Sequence, residues 1–307
     1  MKRLLPFLLL GAVACQNPNM ETTLPNDVQA ISLLGDTLKT NTVRDLPNRL
    51  IVRIDSLKQV AMDNNTPVEA AIWDARLLGY QGEYRDAITL LDKEIEQNPN
   101  NAALYRHRGH RYLSTRQFDA AIQDFEKAAE LIEGTDDIIE QDGLPNALNQ
   151  PTSTLHTNIW YHLGLAYYVT GQYEKAQNAY EKCIEASKNN DMKVATQYWY
   201  YMTLRKHGQD ELAGQVIQGI EEDLEVIEND DYHKLLLVFK GVFDADKILE
   251  EGQADALSNA TVGYGIGFWH HINGREERAK EVWRGVYDAG NWASFGYIAS
   301  EAELASN

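Results

Sequence analysis

The chain has 307 residues, 44% of them hydrophobic and 24% charged, an ordinary balance for a globular protein of one large or two smaller domains. With 46 acidic against 28 basic residues its formal charge is −18, which repels nucleic acid and anionic lipid headgroups and argues against either as a partner. Only 8 prolines interrupt the chain, so long stretches are free to be helical.

The first element is a short basic segment, Met1-Lys2-Arg3, followed by an apolar run over residues 4–14. About a dozen residues fall short of the ~20 that span a bilayer, and the profile is that of a secretory signal peptide over 1–14. The run ends Gly11-Ala12-Val13-Ala14-Cys15, and small residues directly before a cysteine resemble the lipobox of bacterial lipoproteins. The resemblance implies cleavage before Cys15 and acylation of its thiol, with residues 15–26 as lipidated cysteine and polar tether. Gln16 stands where aspartate is associated with inner-membrane retention, so the expected location is the bacterial cell envelope, on the outer membrane facing the periplasm. Without residues 1–14 the chain carries 26 basic against 46 acidic residues, a charge of −20. Cys183 then has no partner for a disulfide and fills a slot that wants a small apolar side chain, which predicts a core position.

Further along, Leu50, Ile54, Leu57 and Met62 are spaced for a helix packed on the first of several repeats. Gly82-Glu83-Tyr84-Arg85-Asp86-Ala87-Ile88 recurs 34 residues later as Arg116-Gln117-Phe118-Asp119-Ala120-Ala121-Ile122, and Leu91 moves onto Phe125. Asn98-Pro99-Asn100-Asn101 ends one copy and offers an asparagine N-cap to the next. Residues 134–156 break the helical period with two prolines, two glycines and a Ser/Thr cluster, which reads as an insertion on one edge of the array. Its apolar residues Ile138, Ile139, Leu144 and Leu148 predict packing against the body. The clearest copy follows: Trp160-Tyr161-His162-Leu163-Gly164-Leu165-Ala166-Tyr167, then Gly171-Gln172-Tyr173-Glu174-Lys175-Ala176, then Tyr180 and Cys183. Gly164 and Ala176 are expected where two helices cross, because small side chains let backbones approach. Weaker copies run through Gly208 to Ala213 and Gly274 to Ala279, with helices around 232–239 and 245–251 between them. Trp292, Phe295 and Ala299 form the apolar stripe of a closing helix.

These residues resemble the tetratricopeptide repeat, whose pattern runs Trp, Leu-Gly, Tyr, Gly-x-Tyr-x-x-Ala, an aromatic, an alanine and a proline. The order of the pieces, from HRGHRY through DGLPNALNQPTSTLHTNIWYHLGLAYY to ASFGYIASEAEL, resembles a bacterial family of tetratricopeptide-repeat lipoproteins without assigned biochemistry. The implied fold is all-α: a right-handed helical solenoid of antiparallel helix pairs over 27–307 with an inserted loop. The clear repeats are expected at about 68–101, 102–133 and 157–190, the insertion at 134–156, and degenerate repeats at 194–307. The implied role is to hold a protein or peptide, without a cofactor. In such an array the first helix of each pair lines the concave face, so Arg76, Arg106, His110, Tyr161, Tyr168, Tyr198 and Arg205 are the expected groove residues. The same arginines could instead pair with acidic neighbours. The Lys/Asn pattern of chaperone-tail binders does not occur.

Two alternatives remain. His107 and His110, with His156 and His162, could serve a metal-binding protein or a hydrolase, but no HExxH, paired cysteines, GxSxG elbow or P-loop accompanies them. The run His107-Arg108-Gly109-His110-Arg111 is also crowded with guanidinium groups, which oppose a cation. Gly263, Gly265 and Gly267 resemble a phosphate loop only superficially, since no strand precedes them; a helix crossing is the better reading. No catalytic or metal-ligating residue is therefore assigned. The third possibility is a small-ligand receptor, for which a closed pocket would speak.

Overall fold

The computed structural model describes residues 24–40, 46–252 and 256–306. The expected signal peptide, Cys15 and most of the tether lie outside the described residues. A two-stranded antiparallel hairpin opens the described chain, β1 (Val28–Ile31) and β2 (Thr37–Lys39), turning at Gly35 with φ of 91°. The hairpin was not anticipated. It is short, and its long-range hydrogen bonds go to Glu83, Arg85 and Tyr287, so nothing local announces it.

All the remaining described elements are helices: α1 (Asn48–Asp63), α2 (Pro67–Gln81), α3 (Tyr84–Gln97), α4 (Ala102–Ser114), α5 (Phe118–Leu131), α6 (Leu155–Val169), α7 (Tyr173–Ala186) and α8 (Asn190–Lys206). Then follow α9 (Asp210–Gln218), α10 (Asp230–Phe239), α11 (Ala245–Gly252), α12 (Ala256–Ile272), α13 (Glu276–Asp288) and α14 (Phe295–Ala305). Each helix packs on its sequence neighbour, and α2, α4, α6 and α8 lie side by side as the first members of successive pairs. The fold is an all-α helical solenoid with a small hairpin at its start.

Local chemistry sets the helix starts. The Asn101 side chain accepts from the backbone N–H groups of Ala103 and Leu104 at the start of α4. Thr154 and Thr157 form a capping box that starts α6 straight out of the insertion. Close helix pairing depends on glycine where expected. A Cβ on Gly164 would stand 2.5 Å from the buried Tyr180 ring, and one on Gly267 would stand 2.3 Å from Trp283 Nε1. Gly263 and Gly265 face Val286 and Leu235 in the same way, so these glycines are crossing points. Cys183 is fully buried, and burial pushes its thiol up to about 12.

The solenoid curls until its last helices fill its own inner face. Helix α10 packs on both α8 and α12, and α14 packs on α12 and returns to touch α6. Trp199 stacks on Tyr264 with ring centres 5.5 Å apart, and Tyr198 stacks on Phe239 at 5.8 Å. The first and last described elements meet at the hairpin, where Leu33 N–H donates to Glu301 Oε1 at 2.6 Å and Trp292 Nε1 donates to the Lys39 carbonyl at 3.1 Å; Tyr84 of α3 also meets Trp292 edge-on. Arg116 and Glu301 seal this closure as a fully buried ion pair at 2.6 Å, their side chains 3% and 0% exposed.

A candidate carboxylate-binding cavity

Closure of the curl leaves a polar space of about 400 Å³ between α2, α4, α6, the insertion and the turn before α14. Helix α4 contributes more of its lining than any other element. Arg106, His107, His110, Arg111 and Ser114 recur at spacings of one and four, a polar stripe along one face, while Gly109 and Leu113 turn towards the core. Helix α2 adds Arg76, Gly79 and Tyr80, and α6 adds Asn158 and His162 one turn apart. Gly79 makes room for a cation, since a Cβ there would lie 2.0 Å from Arg111 Nη1.

The insertion closes the cavity through its polar groups. Glu140 is held by Arg106 Nε at 3.1 Å, by His107 Nε2 at 3.2 Å and by the Asn158 amide. Arg76 Nη1 donates to the Gln141 carbonyl and Arg53 Nε to the Asp142 carbonyl, each at 2.7 Å. The expectation that Ile138, Ile139, Leu144 and Leu148 pack on the body is overturned, because they are 46–63% exposed. Glu140 docks instead, next to the antiparallel bridge that pairs Ile139 with Thr154.

Electrostatics in the cavity follow from which nitrogens must donate. A guanidinium has only donors, so His107 Nδ1 accepts from Arg106 Nη1 at 3.1 Å and His110 Nδ1 accepts from Arg111 Nη2 at 2.8 Å. Both imidazoles are therefore neutral with the proton on Nε2. His162 donates from Nδ1 to the Asn158 carbonyl at 2.5 Å. Burial, reinforced by Arg106, lowers His107 and His162 to about 3, and burial with Arg111 holds His110 well below the usual histidine range. Burial also works against ionised Glu140, but Arg106 and His107 outweigh it and pull its carboxyl far below the carboxylate range. For Arg111, burial and the nearby guanidiniums bring the value down to about 10. Neutral histidines already committed to guanidinium donors, beside three arginines, are a poor donor set for a metal cation.

The cavity brings together three of the seven expected groove residues, Arg76, Arg106 and His110. Tyr161, Tyr168 and Tyr198 are core residues instead, 6%, 4% and 0% exposed, because α10 and α12 cover the face that an open array would leave free. Arg205 lies at the far end of α8, where it pairs with Asp210 at 2.7 Å and meets the Tyr201 hydroxyl. Of the histidines considered for a metal, His107, His110 and His162 converge, whereas His156 bonds Thr135 near the start of the insertion. Glu140 and Arg111 were not singled out from the sequence. Arg111 was within reach, since it continues the stripe at one and four residues; Glu140 arrives from a loop with no period of its own.

Two family models, both described as tetratricopeptide repeat, match residues 74–136 and 157–190. These matched stretches are similar to tetratricopeptide repeats, and they hold the cavity residues of α2, α4 and α6. Human tetratricopeptide repeat protein 16 is 33% identical over 69 residues, 22% of this chain and 8% of that protein, and the Macaca fascicularis protein matches equally. The chain thus spans about 8% of the length of the curated relatives it matches. Among solved structures, a tetratricopeptide repeat protein from Parabacteroides merdae is 14% identical, with 85% of this chain and 100% of that chain covered at a TM-score of 0.44. YrrB, described as a tetratricopeptide-repeat protein with an unusual peptide-binding site, is 20% identical, covering 65% and 91% at a TM-score of 0.34.

Proposed function

We propose that the protein is a scaffold that holds a protein or peptide, and that the contact is made at the arginine-walled cavity rather than along an open groove. The observation that carries this reading is the convergence of Arg76, Arg106 and His110 on one accessible space. The tetratricopeptide repeats that build its walls support a binding role. With this we propose a lipid at Cys15 that tethers the scaffold to a bacterial membrane, on the side facing the periplasm. The acidic surface supports solubility and argues against nucleic acid as the partner.

The test is a pull-down from detergent-solubilised membranes with wild type and Arg106→Glu. Loss of specific partners in the variant is the expected outcome; equal recovery sinks the cavity as the contact. The tether is tested separately by Cys15→Ser, which should move the protein from the membrane fraction to the soluble one.

A further inference from the structure

We infer that the cavity is a receptor for a single carboxylate group, supplied by the C-terminal end of a peptide or by a small organic acid. The inference rests on the scaffold reading only for the peptide as the source. Three guanidiniums, Arg76, Arg106 and Arg111, face the cavity, and two carboxylates, Glu140 and Asp142, oppose them. The histidines add no charge: His107 and His110 each accept from a guanidinium, and burial keeps His162 neutral. One positive charge is left over, inside a chain of net charge −18. A monoanion balances it, whereas a dianionic phosphate would overshoot.

The unmatched cation is identifiable. Among the described residues no carboxylate lies within ion-pair distance of Arg111. Its guanidinium is held at 5.4 Å over the Tyr84 ring and donates to His110, over the gap left by Gly79. A partly buried arginine kept without an anion is a standing cost unless something charged arrives. Arg106 adds a buried Nε–H without a well-directed acceptor, although Glu140 is near. Glu140 demonstrates what this wall recognises, since Arg106, His107 and Asn158 already grip one carboxylate.

Size limits the ligand further. A space of about 400 Å³ is at the small end of ligand sites, which run to about 1,000 Å³, and a helix with side chains is about 10–12 Å across. The cavity therefore takes a chain end or a small acid, not a folded element.

Purified full chain is assayed by thermal unfolding and calorimetric titration at fixed ionic strength against four probes. These are a pool of acetylated tripeptides with free C-terminal carboxylates, the same pool amidated, propionate and propionamide. A ligand that binds only the folded state raises the unfolding midpoint as its concentration passes Kd. Expected are a rise with the free-acid peptides and none with their amides, binding at least tenfold weaker in Arg111→Met, and tighter binding in Glu140→Gln, which removes the competing internal carboxylate. Equal responses to acid and amide forms, undiminished acid binding in Arg111→Met, or no response to any probe overturns the inference. Binding of peptides regardless of their terminus keeps the scaffold and removes the carboxylate site. Binding of propionate alone keeps the carboxylate site and removes the peptide scaffold.

Discussion

At the scale of single residues, the cavity is governed by arginines that force their histidine neighbours to be neutral. That choice has a pH signature. An unfolded imidazole titrates near ~6.5, whereas His107 and His162 are lowered to about 3 in the folded chain. Between those values the unfolded state binds more protons, so stability falls as the pH drops. The expected loss between pH 7 and pH 5 is about 2 kcal/mol per histidine, roughly 4 for the two. Glu140 does not blur the comparison. Its folded carboxyl is depressed, so its contribution is fully present above the unfolded value of ~4.3 and is lost only at lower pH. Urea unfolding at the two pH values checks this: the double variant His107→Gln/His162→Gln should show a clearly shallower pH dependence than wild type. An identical slope would mean that these imidazoles are charged in the folded protein.

At the scale of elements, glycines separate helices that must touch from helices that merely continue. Gly164 in α6 faces the fully buried Tyr180 ring at a Cβ distance of 2.5 Å, whereas Gly214 in α9 is exposed with open space around it. Alanine is the better helix former by about 1 kcal/mol at either place. At Gly214 that gain stands alone, so Gly214→Ala should stabilise by ~0.5–1 kcal/mol. At Gly164 the clash dominates, and Gly164→Ala should lose about 1–3 kcal/mol through overpacking. Chemical denaturation of the two variants should therefore give opposite signs; the same sign in both would show that α6 and α7 are not packed as described. The insertion follows different logic. It carries four large apolar side chains outward and is held by guanidiniums on its backbone carbonyls and by Glu140.

At the scale of the whole molecule, one residue stands out in the repeat turns. Gly82, Gly171, Gly208 and Gly274 all have positive φ, and the corresponding place in the second repeat is Arg116 at φ of 63°. A left-handed arginine costs about 1–2 kcal/mol over glycine, so its side chain must return more than that. It does so by pairing with Glu301, 185 residues away, where the end of the array closes on its beginning. Breaking a buried pair from one side leaves an uncompensated charge and costs about 3–5 kcal/mol. Arg116→Gly should therefore destabilise despite relieving the backbone, and Glu301→Gln should do the same. The double variant should lose less than the sum of the two, as measured by a double-mutant cycle on urea unfolding. A stabilising Arg116→Gly would show that the closure is not held by this pair.

What could be read from the sequence was whatever depends on local periodicity. The 34-residue recurrence, the Asn101 cap, the crossing at Gly164, the core place of Cys183 and the helical stripe through Arg106 and His110 all follow from neighbours within a few turns. What only the tertiary structure decided is where the inner face goes. Tyr161, Tyr168 and Tyr198 have the spacing of groove residues, but spacing marks a face and does not say what covers it. Here α10 and α12 do so, from 30 or more residues further along the chain. The hairpin, the Arg116–Glu301 pair and the approach of Glu140 to Arg106 were hidden for the same reason. Each joins segments far apart in sequence, and none carries a periodic signal. The repeat thus determined the helices and their pairing, and the curl of the array turned an expected open groove into a packed core beside an arginine-walled cavity.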